Sequence, residues 1–429
     1  MSEVVSLARE LIRFDTTNTD GPSTGTGERA AAEFVAERLS DAGFEPVYLE
    51  PAPGRGNVVV RLPGADPSRG ALLVHGHLDV VPADASEWSV PPFEGEIRDG
   101  YLWGRGAIDM KHMVAMSLAV ARRFKRDGIV PPRDIVFAFL ADEEAGGWQG
   151  AGWLVEHRRE LFDGVTEAVS EVGGFSYTVR DGVRAYLVET AEKGVMWLRL
   201  KVRGTAGHGS MVHTDNAVAK LAAALTRLEE HRFPLVLTEP VRDFLAGVAE
   251  LTGVEFDPDD PEAAVARLGS LARMIGATLR DTANTTMLSA GYKANVVPSI
   301  AEATVDGRML PGREAAFERE LAEVLGPGVE MDWDSLPPVQ TSFEGRLVDA
   351  MAAAIEAEDP GARVLPYMLS AGTDAKSFQR LGIRHFGFAP LRLPPGLDFT
   401  ALFHGVDERV PIDGLEFGER VLARLLQSC

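Results

Sequence analysis

The sequence predicts an α/β protein with a mixed, mostly parallel sheet, interrupted by an inserted two-layer α+β domain. Three observations carry this. Apolar runs at Leu72–His75, Asp134–Leu140 and Ala168–Ser170 lack polar alternation, as strands buried on both faces do. From Gly194 the texture changes to the alternation Val195-Met196-Trp197-Leu198-Arg199-Leu200-Lys201-Val202, expected of a strand covered on one face only. After Pro337-Pro338 the α/β pattern resumes, so the middle segment reads as an insertion. The division expected is 1–193, 194–334 and 335–429, and 429 residues are too many for one ordinary core.

Taken in order, a first helix carries Val4, Leu7, Leu11 and Ile12 on one face. A polar, Gly-rich loop from Asp15 to Gly27 leads to a second helix, from Glu28 through Phe34, Val35 and Leu39 to a stop at Gly43. Asn57–Leu62 is a strand, and the strand at 71–75 follows. Asp84 to Gly106 is a long loop of Pro, Gly and aromatics, and loops of that length usually cover a site. A helix over 110–126 comes next. In the insertion, a helix after Asn216, strands near 284–290 and 300–307, a helix at 313–325 and a strand near 328–333 give a β-α-β-β-α-β order. Residues 234–282 look mainly helical and carry no readable motif. A helix at 343–357, a strand at Gly382–Phe388 and a last helix at 412–427 complete the chain.

Hydrophobic residues make up 45% and charged residues 25%, as in ordinary globular proteins. A net charge of −21 argues against nucleic-acid or anionic-membrane partners. The one cysteine, Cys429, excludes a disulfide framework and a thiolate zinc site. No stretch approaches the roughly 20 apolar residues of a membrane span, and the N-terminus has neither a basic nor an apolar leader region, so a cytoplasmic location is expected.

The chemistry-bearing residues recur at apolar strand ends, where ligands of open α/β sheets collect. His75-Gly76-His77-Leu78-Asp79 closes one strand, Asp142-Glu143-Glu144 a second, and Glu171 a third. Each alone has a bland reading: a hydrogen-bonded histidine, or a solvated acidic turn. Asp109, where loop meets helix, reads locally as a cap. Their coincidence along one sheet edge favours a site. The candidate ligands His77, Asp109, Glu144, Glu171 and His404 combine two imidazoles with three carboxylates. That donor set suits two divalent ions, with zinc favoured and cobalt or manganese tolerated. Such a pair lowers the pKa of a bridging water, and Glu143 is free to act as its proton shuttle.

In combination these motifs resemble the dinuclear zinc hydrolase family of aminoacylase, acetylornithine deacetylase, succinyl-diaminopimelate desuccinylase and carboxypeptidase G. The resemblance rests on Gly76-His77-Leu78-Asp79, Trp103-Gly104-Arg105-Gly106 with Asp109-Met110-Lys111, Glu143-Glu144, Glu171, and His404-Gly405-Val406-Asp407-Glu408. It implies a zinc-peptidase-like catalytic domain with a lid and dimerisation domain inserted in it, and two metal ions per subunit. His77 and Glu171 would bind one ion, Glu144 and His404 the other, and Asp109 both, followed by a cis peptide to Met110. Asp79 would orient His77, and Glu143 would be general base and acid. His208 would reach the partner subunit of a homodimer and stabilise the oxyanion. Asn295 and Arg308 match substrate-contacting positions, with Gly372 and Thr373 as further candidates. Two departures stand out: His112, where relatives have a small residue, and Ala371 in the Gly-rich loop before Gly372.

The activity implied is hydrolysis of an amide or peptide bond next to a free carboxylate, in an N-acyl amino acid or short peptide. The loop with Leu391, Leu393, Leu397, Phe399 and Leu402 is apolar and favours a hydrophobic acyl group. A binding-only relative would have no use for Glu143 beside Glu144, nor for Asp79 behind His77. A two-metal phosphoesterase would want more cations than Arg308 and Lys111. Asp407 and Glu408 read as acids at a helix start, His75 and His112 as packed structural residues, and His157, His213, His231 and His385 have no evident partner.

Overall fold

The computed structural model describes residues 1–19, 27–180 and 182–429. Most of the Gly-rich loop expected before Gly27 therefore lies outside the described residues.

A ten-stranded mixed sheet forms the body. Its centre is parallel: Ile135–Leu140, Ala71–His77, Val165–Ser170 and Arg384–Gly387 lie side by side in that order. Antiparallel strands flank it. Asn57–Leu62 and Val47–Leu49 extend one side. On the other, Val183–Glu192 pairs antiparallel with Phe175–Arg180, Arg384–Gly387 and Val339–Gln340, and parallel with Arg363–Leu369. The strands at 47–49, 175–180, 183–192 and 363–369 are absent from the expectation; in 175–180 the residues Tyr177, Thr178 and Arg180 give a mixed texture that reads as loop.

Ala71–His77 is buried at every position, because parallel neighbours flank it and helices cover the sheet. Helices Glu3–Ile12, Lys111–Asp127, Arg346–Glu358 and Ile412–Ser428 share one apolar core with one face of the sheet. Ala151–His157 and the short helix Ala375–Phe378 cover the other. The Lys111–Asp127 helix stops at Gly128, whose φ of 67° turns the chain left-handed. The long 84–106 loop contains a hairpin, Glu96–Arg98 with Tyr101–Trp103, to which Arg409–Pro411 adds a third strand. That pairing brings His404 and Glu408 to the loop that carries Asp109.

The second sheet has four antiparallel strands in the order Thr282–Ala290, Ile300–Met309, Gly194–Arg203, Val329–Leu336. Helices Ala217–Glu230 and Glu314–Leu325 pack on one face, giving the expected two-layer β-α-β-β-α-β unit. The Asn216 side chain caps the first helix by accepting from the N–H groups of Val218 and Ala219. Thr282–Ala290 is an edge strand, largely exposed. The helices Glu239–Thr252, Pro261–Val265 and Ala272–Gly276 leave this unit; Val241, Phe244, Leu268 and Ile275 join the core of the large sheet. Among the described residues, no helix is long and apolar enough to cross a membrane.

Candidate metal centre and cleft

Five segments deliver the polar cluster. His77 ends the central strand, Glu143 and Glu144 follow the strand Ile135–Leu140, Glu171 follows Val165–Ser170, and Asp109 and His404 arrive on loops. Three of these turns are backbone outliers: Asp142 has φ 70°, Val172 φ 53° and His404 φ 56°. Left-handed backbone is costly for non-glycine residues and for valine above all. Here it flanks Glu143 and Glu171 and re-aims His404. The Asp109-Met110 peptide is cis, as the resemblance implies.

Asp109 sits between the two histidines. Its Oδ1 lies 3.1 Å from His77 Nε2 and its Oδ2 3.2 Å from His404 Nε2. Glu171 Oε2 is 3.5 Å from His77 Nε2, and Glu144 Oε2 is 3.1 Å from His404 Nε2. Glu143 Oε2 stands 3.9 Å from His77 Nε2. Two groups, His77–Asp109–Glu144 and His77–Glu143–Glu171, have ligand atoms close enough for one ion each. So the structure gathers every candidate ligand with Glu143, and Asp109 caps no helix.

The supporting residues are buried. Asp79 receives the N–H groups of Glu143 and Glu144 at 3.1 Å each and the Asn18 amide at 2.9 Å. His77 Nδ1 lies 3.0 Å from the Asp79 carbonyl and 3.5 Å from its Oδ1, so Nδ1 donates to Asp79 and Nε2 is turned toward the carboxylates. Glu408 is no helix-start acid. It accepts from the N–H groups of Gly106 (3.0 Å), Ile108 (2.6 Å) and Asp109 (3.0 Å) and from Arg105 Nη1 (2.8 Å), which fixes the loop holding Asp109.

Charge balance in the cluster is poor. Burial, then the Glu171 charge, push the Glu143 carboxyl well above the usual carboxylate range. Burial raises Glu171 to about 7, against the pull of His77. Burial and the Asp109 charge also raise Glu144, whose Oε1 is buried without a hydrogen-bond partner among the described residues. Hydrogen bonds to Asp109 and Glu144 push His404 up to about 10. Asp109 is held low in spite of burial by its bonds to His404 and His77. Crowded, under-compensated carboxylates with an orphaned oxygen, facing two imidazole Nε2 atoms, fit divalent cations that would take the place of the imidazole protons, and no thiolate is present to favour a softer site.

A cleft of about 190 Å³ opens over the cluster. Glu143, Glu144, His404, Gly372, Thr373 and Lys376 line it from the body, and Val195, Trp197, Arg308 and Leu336 from the second sheet. The Arg308 guanidinium is held by Asp306 at 2.7 and 3.1 Å. Thr373 is buried and spends its hydroxyl and N–H on Glu192. His208 is elsewhere: it is exposed on the second sheet's unit, its Nδ1 2.8 Å from Ser210 Oγ. Asn295 lies beside it, its carbonyl accepting from Gly209 N–H at 2.9 Å. Leu391, Leu393, Phe399 and Leu402 are packed into the main core and do not line the cleft, so the apolar loop says nothing about an acyl group.

The remaining histidines have partners. His75 Nε2 and His385 Nε2 are 2.9 Å apart, His231 meets Glu320 at 2.8 Å, His213 meets the His208 carbonyl at 2.9 Å, and His157 stacks on Trp153. His112 is buried in the first turn of its helix, and burial lowers it to about 4. A third group, Glu189, Glu192 and His385, also has metal-compatible spacing, but the Lys376 ammonium already sits 2.9 Å from Glu192 Oε2.

Residues 73–428 match the model of peptidase family M20/M25/M40. Aminoacylase-1 of Sus scrofa is 30% identical over 425 residues, covering 95% of this chain and 90% of the relative. Probable carboxypeptidase S-like 2 of Dictyostelium discoideum is 30% identical over 83% of this chain and 71% of its own length. The fold superposes on the M20 family metallo-carboxypeptidase Sso-CP2 from Sulfolobus solfataricus with a TM-score of 0.74 at 18% identity, covering 100% and 99% of the two chains. With its large mixed sheet, its smaller lid sheet and a matched region of this length, the chain belongs to peptidase family M20/M25/M40 and is a hydrolase.

Proposed function

We propose that this hydrolase cleaves an amide or peptide bond next to a free carboxylate, in N-acyl amino acids or short peptides. The observation that carries the reading is the placement of Asp109 between His77 and His404, with Glu171 and Glu144 outside them and Glu143 adjacent. His77 and Glu171 would hold one ion, Glu144 and His404 a second, and Asp109 both; an all N/O donor set favours zinc. When bound, such ions acidify water and polarise a carbonyl.

The chain's own residues then have defined tasks. Glu143 takes a proton from the attacking water as its oxygen joins the carbonyl carbon. It returns that proton to the nitrogen as the C–N bond breaks. A carboxylate whose proton affinity is raised by burial is suited to holding the proton between the two steps. Asp79 keeps His77 in one tautomer. The Arg308 fork, now on Asp306, matches a substrate carboxylate. Val195, Trp197 and Leu336 give the acyl or side-chain group an apolar wall.

We also propose the units 1–193, 194–334 and 335–429, with the 239–276 helices of the middle unit docked back on the body. The assembly proposed is a cytoplasmic homodimer. In it His208 of one chain serves the other's cleft, supported by its exposure away from its own cleft and by the open edge strand Thr282–Ala290.

Amine release from N-acetyl, N-succinyl and long-chain N-acyl amino acids and from dipeptides tests the reading. Turnover should be lost with chelator, return with zinc or cobalt, and fall by about 10³-fold in Glu143→Ala with metal content unchanged. Apolar acyl groups should exceed succinyl in kcat/KM. Full activity in Glu143→Ala would refute the assignment.

A further inference from the structure

Glu192 ends the strand Val183–Glu192, and Gly194 begins the first strand of the second sheet. The crossing between the two units is thus Glu192-Lys193-Gly194, and Glu192 also faces Val339, where the chain returns. The turn Ala371–Lys376 converges on this crossing. Thr373 N–H donates to Glu192 Oε2 at 3.1 Å and its hydroxyl to Oε1. Lys376 Nζ lies 2.9 Å from Glu192 Oε2 and 2.7 Å from the Lys193 carbonyl. Lys193 N–H donates to the Leu369 carbonyl at 3.1 Å. Gly372 makes room for this: a Cβ there would lie 2.3 Å from Lys376 Cε.

Both cleft walls start from this point. Gly372, Thr373 and Lys376 line the body side. Immediately past the crossing lies Val195, which pairs with Arg308 and Leu336 of the facing wall. We propose that Glu192 is a positioning residue: with Thr373 and Lys376 it latches the substrate-facing turn to the crossing, so that the two walls hold substrate at one spacing. This rests on the proposed function for its effect on turnover, but not for the latch itself. Glu192 is buried and so is Lys376, hence neither charge can turn to water when the other is lost. A glutamine has one acceptor oxygen for three donors, and its own N–H groups would face an ammonium or a hydroxyl.

The test is Glu192→Gln, read by amide hydrogen exchange and by steady-state kinetics on the best substrate of the panel, with Thr373→Val as the milder variant should Glu192→Gln not fold. Exchange at Thr373 should quicken by about tenfold or more, while the Glu143 and Glu144 amides, held by Asp79, stay protected. KM should rise about tenfold with kcat within about threefold and metal content unchanged, because the reacting groups are not touched. A merely structural role would lower the amount of active enzyme, hence kcat, without moving KM. Unchanged exchange at 371–376, or a fall in kcat at constant KM, overturns the proposal. If the native enzyme hydrolyses nothing in the panel, the proposed function fails and exchange alone decides the latch.

Discussion

At the scale of residues, the site is a problem of too much negative charge in too little water. Asp79 carries the clearest consequence. It holds two backbone N–H groups and fixes the His77 ring, so Asp79→Asn should weaken metal binding by about 10–100-fold while leaving the fold intact, measured by competition with a chromophoric chelator. The shifted groups also set how stability depends on pH. Glu171, raised to about 7, contributes stability below its unfolded value that is lost as pH rises through 7. His404, raised to about 10, contributes stability below its unfolded value that is lost as pH climbs to 10. Both losses run in one direction. The gap in Tm between loaded and chelated protein should therefore widen from about pH 5 to pH 9, because divalent ions replace the protons these groups lose. A gap that stays constant or narrows over that range would contradict the charge arrangement.

At the scale of elements, the site depends on turns that leave strands abruptly. Gly173 follows Glu171 and Val172 and passes directly against the neighbouring strand: a Cβ there would lie 1.9 Å from the Gly387 carbonyl oxygen. Backbone cannot yield as a side chain can. Gly173→Ala should cost about 2 kcal/mol or more and shift Glu171, read as a lower denaturation midpoint together with weaker metal binding. The elements themselves were unequally legible. Ala71–Val74 and Ile135–Leu140 are apolar throughout because both faces are covered, and that texture is visible without a structure. Val183–Glu192 was not legible: it ends in buried Glu189 and Glu192, which look like solvent-facing residues until Lys376 and Thr373 are folded against Glu192. Glu408 misled in the same way. Beside a helix start it looks like an acid answering the dipole, and only the approach of the 106–109 loop, some 300 residues away in the chain, makes it an anchor.

At the scale of the molecule, the body and the two-layer unit each contribute a wall of the cleft, and the proposed dimer adds His208. Chains carrying His208→Ala and chains carrying Glu143→Ala should each be nearly inactive. Mixed and allowed to exchange, they should recover about a quarter of native activity, because half the dimers are hybrids with one complete site each. No recovery, with hybrids demonstrated by mass, would mean His208 serves its own chain or none.

The alternation of buried strands and helices, the point at which the texture changes and the residue types able to hold two cations are all readable along the chain. Those are local properties: apolar periodicity and donor chemistry are written in short windows. It takes the folded chain to show that Asp109 stands between His77 and His404, that Glu408 and Asp79 hold the loops behind them, that Leu391 and its apolar neighbours face the core rather than the cleft, and that Glu192 joins the crossing to the substrate-facing turn. Each of these rests on partners far apart in sequence, brought together by strand order and sheet register, and no window of residues contains both halves of such a contact.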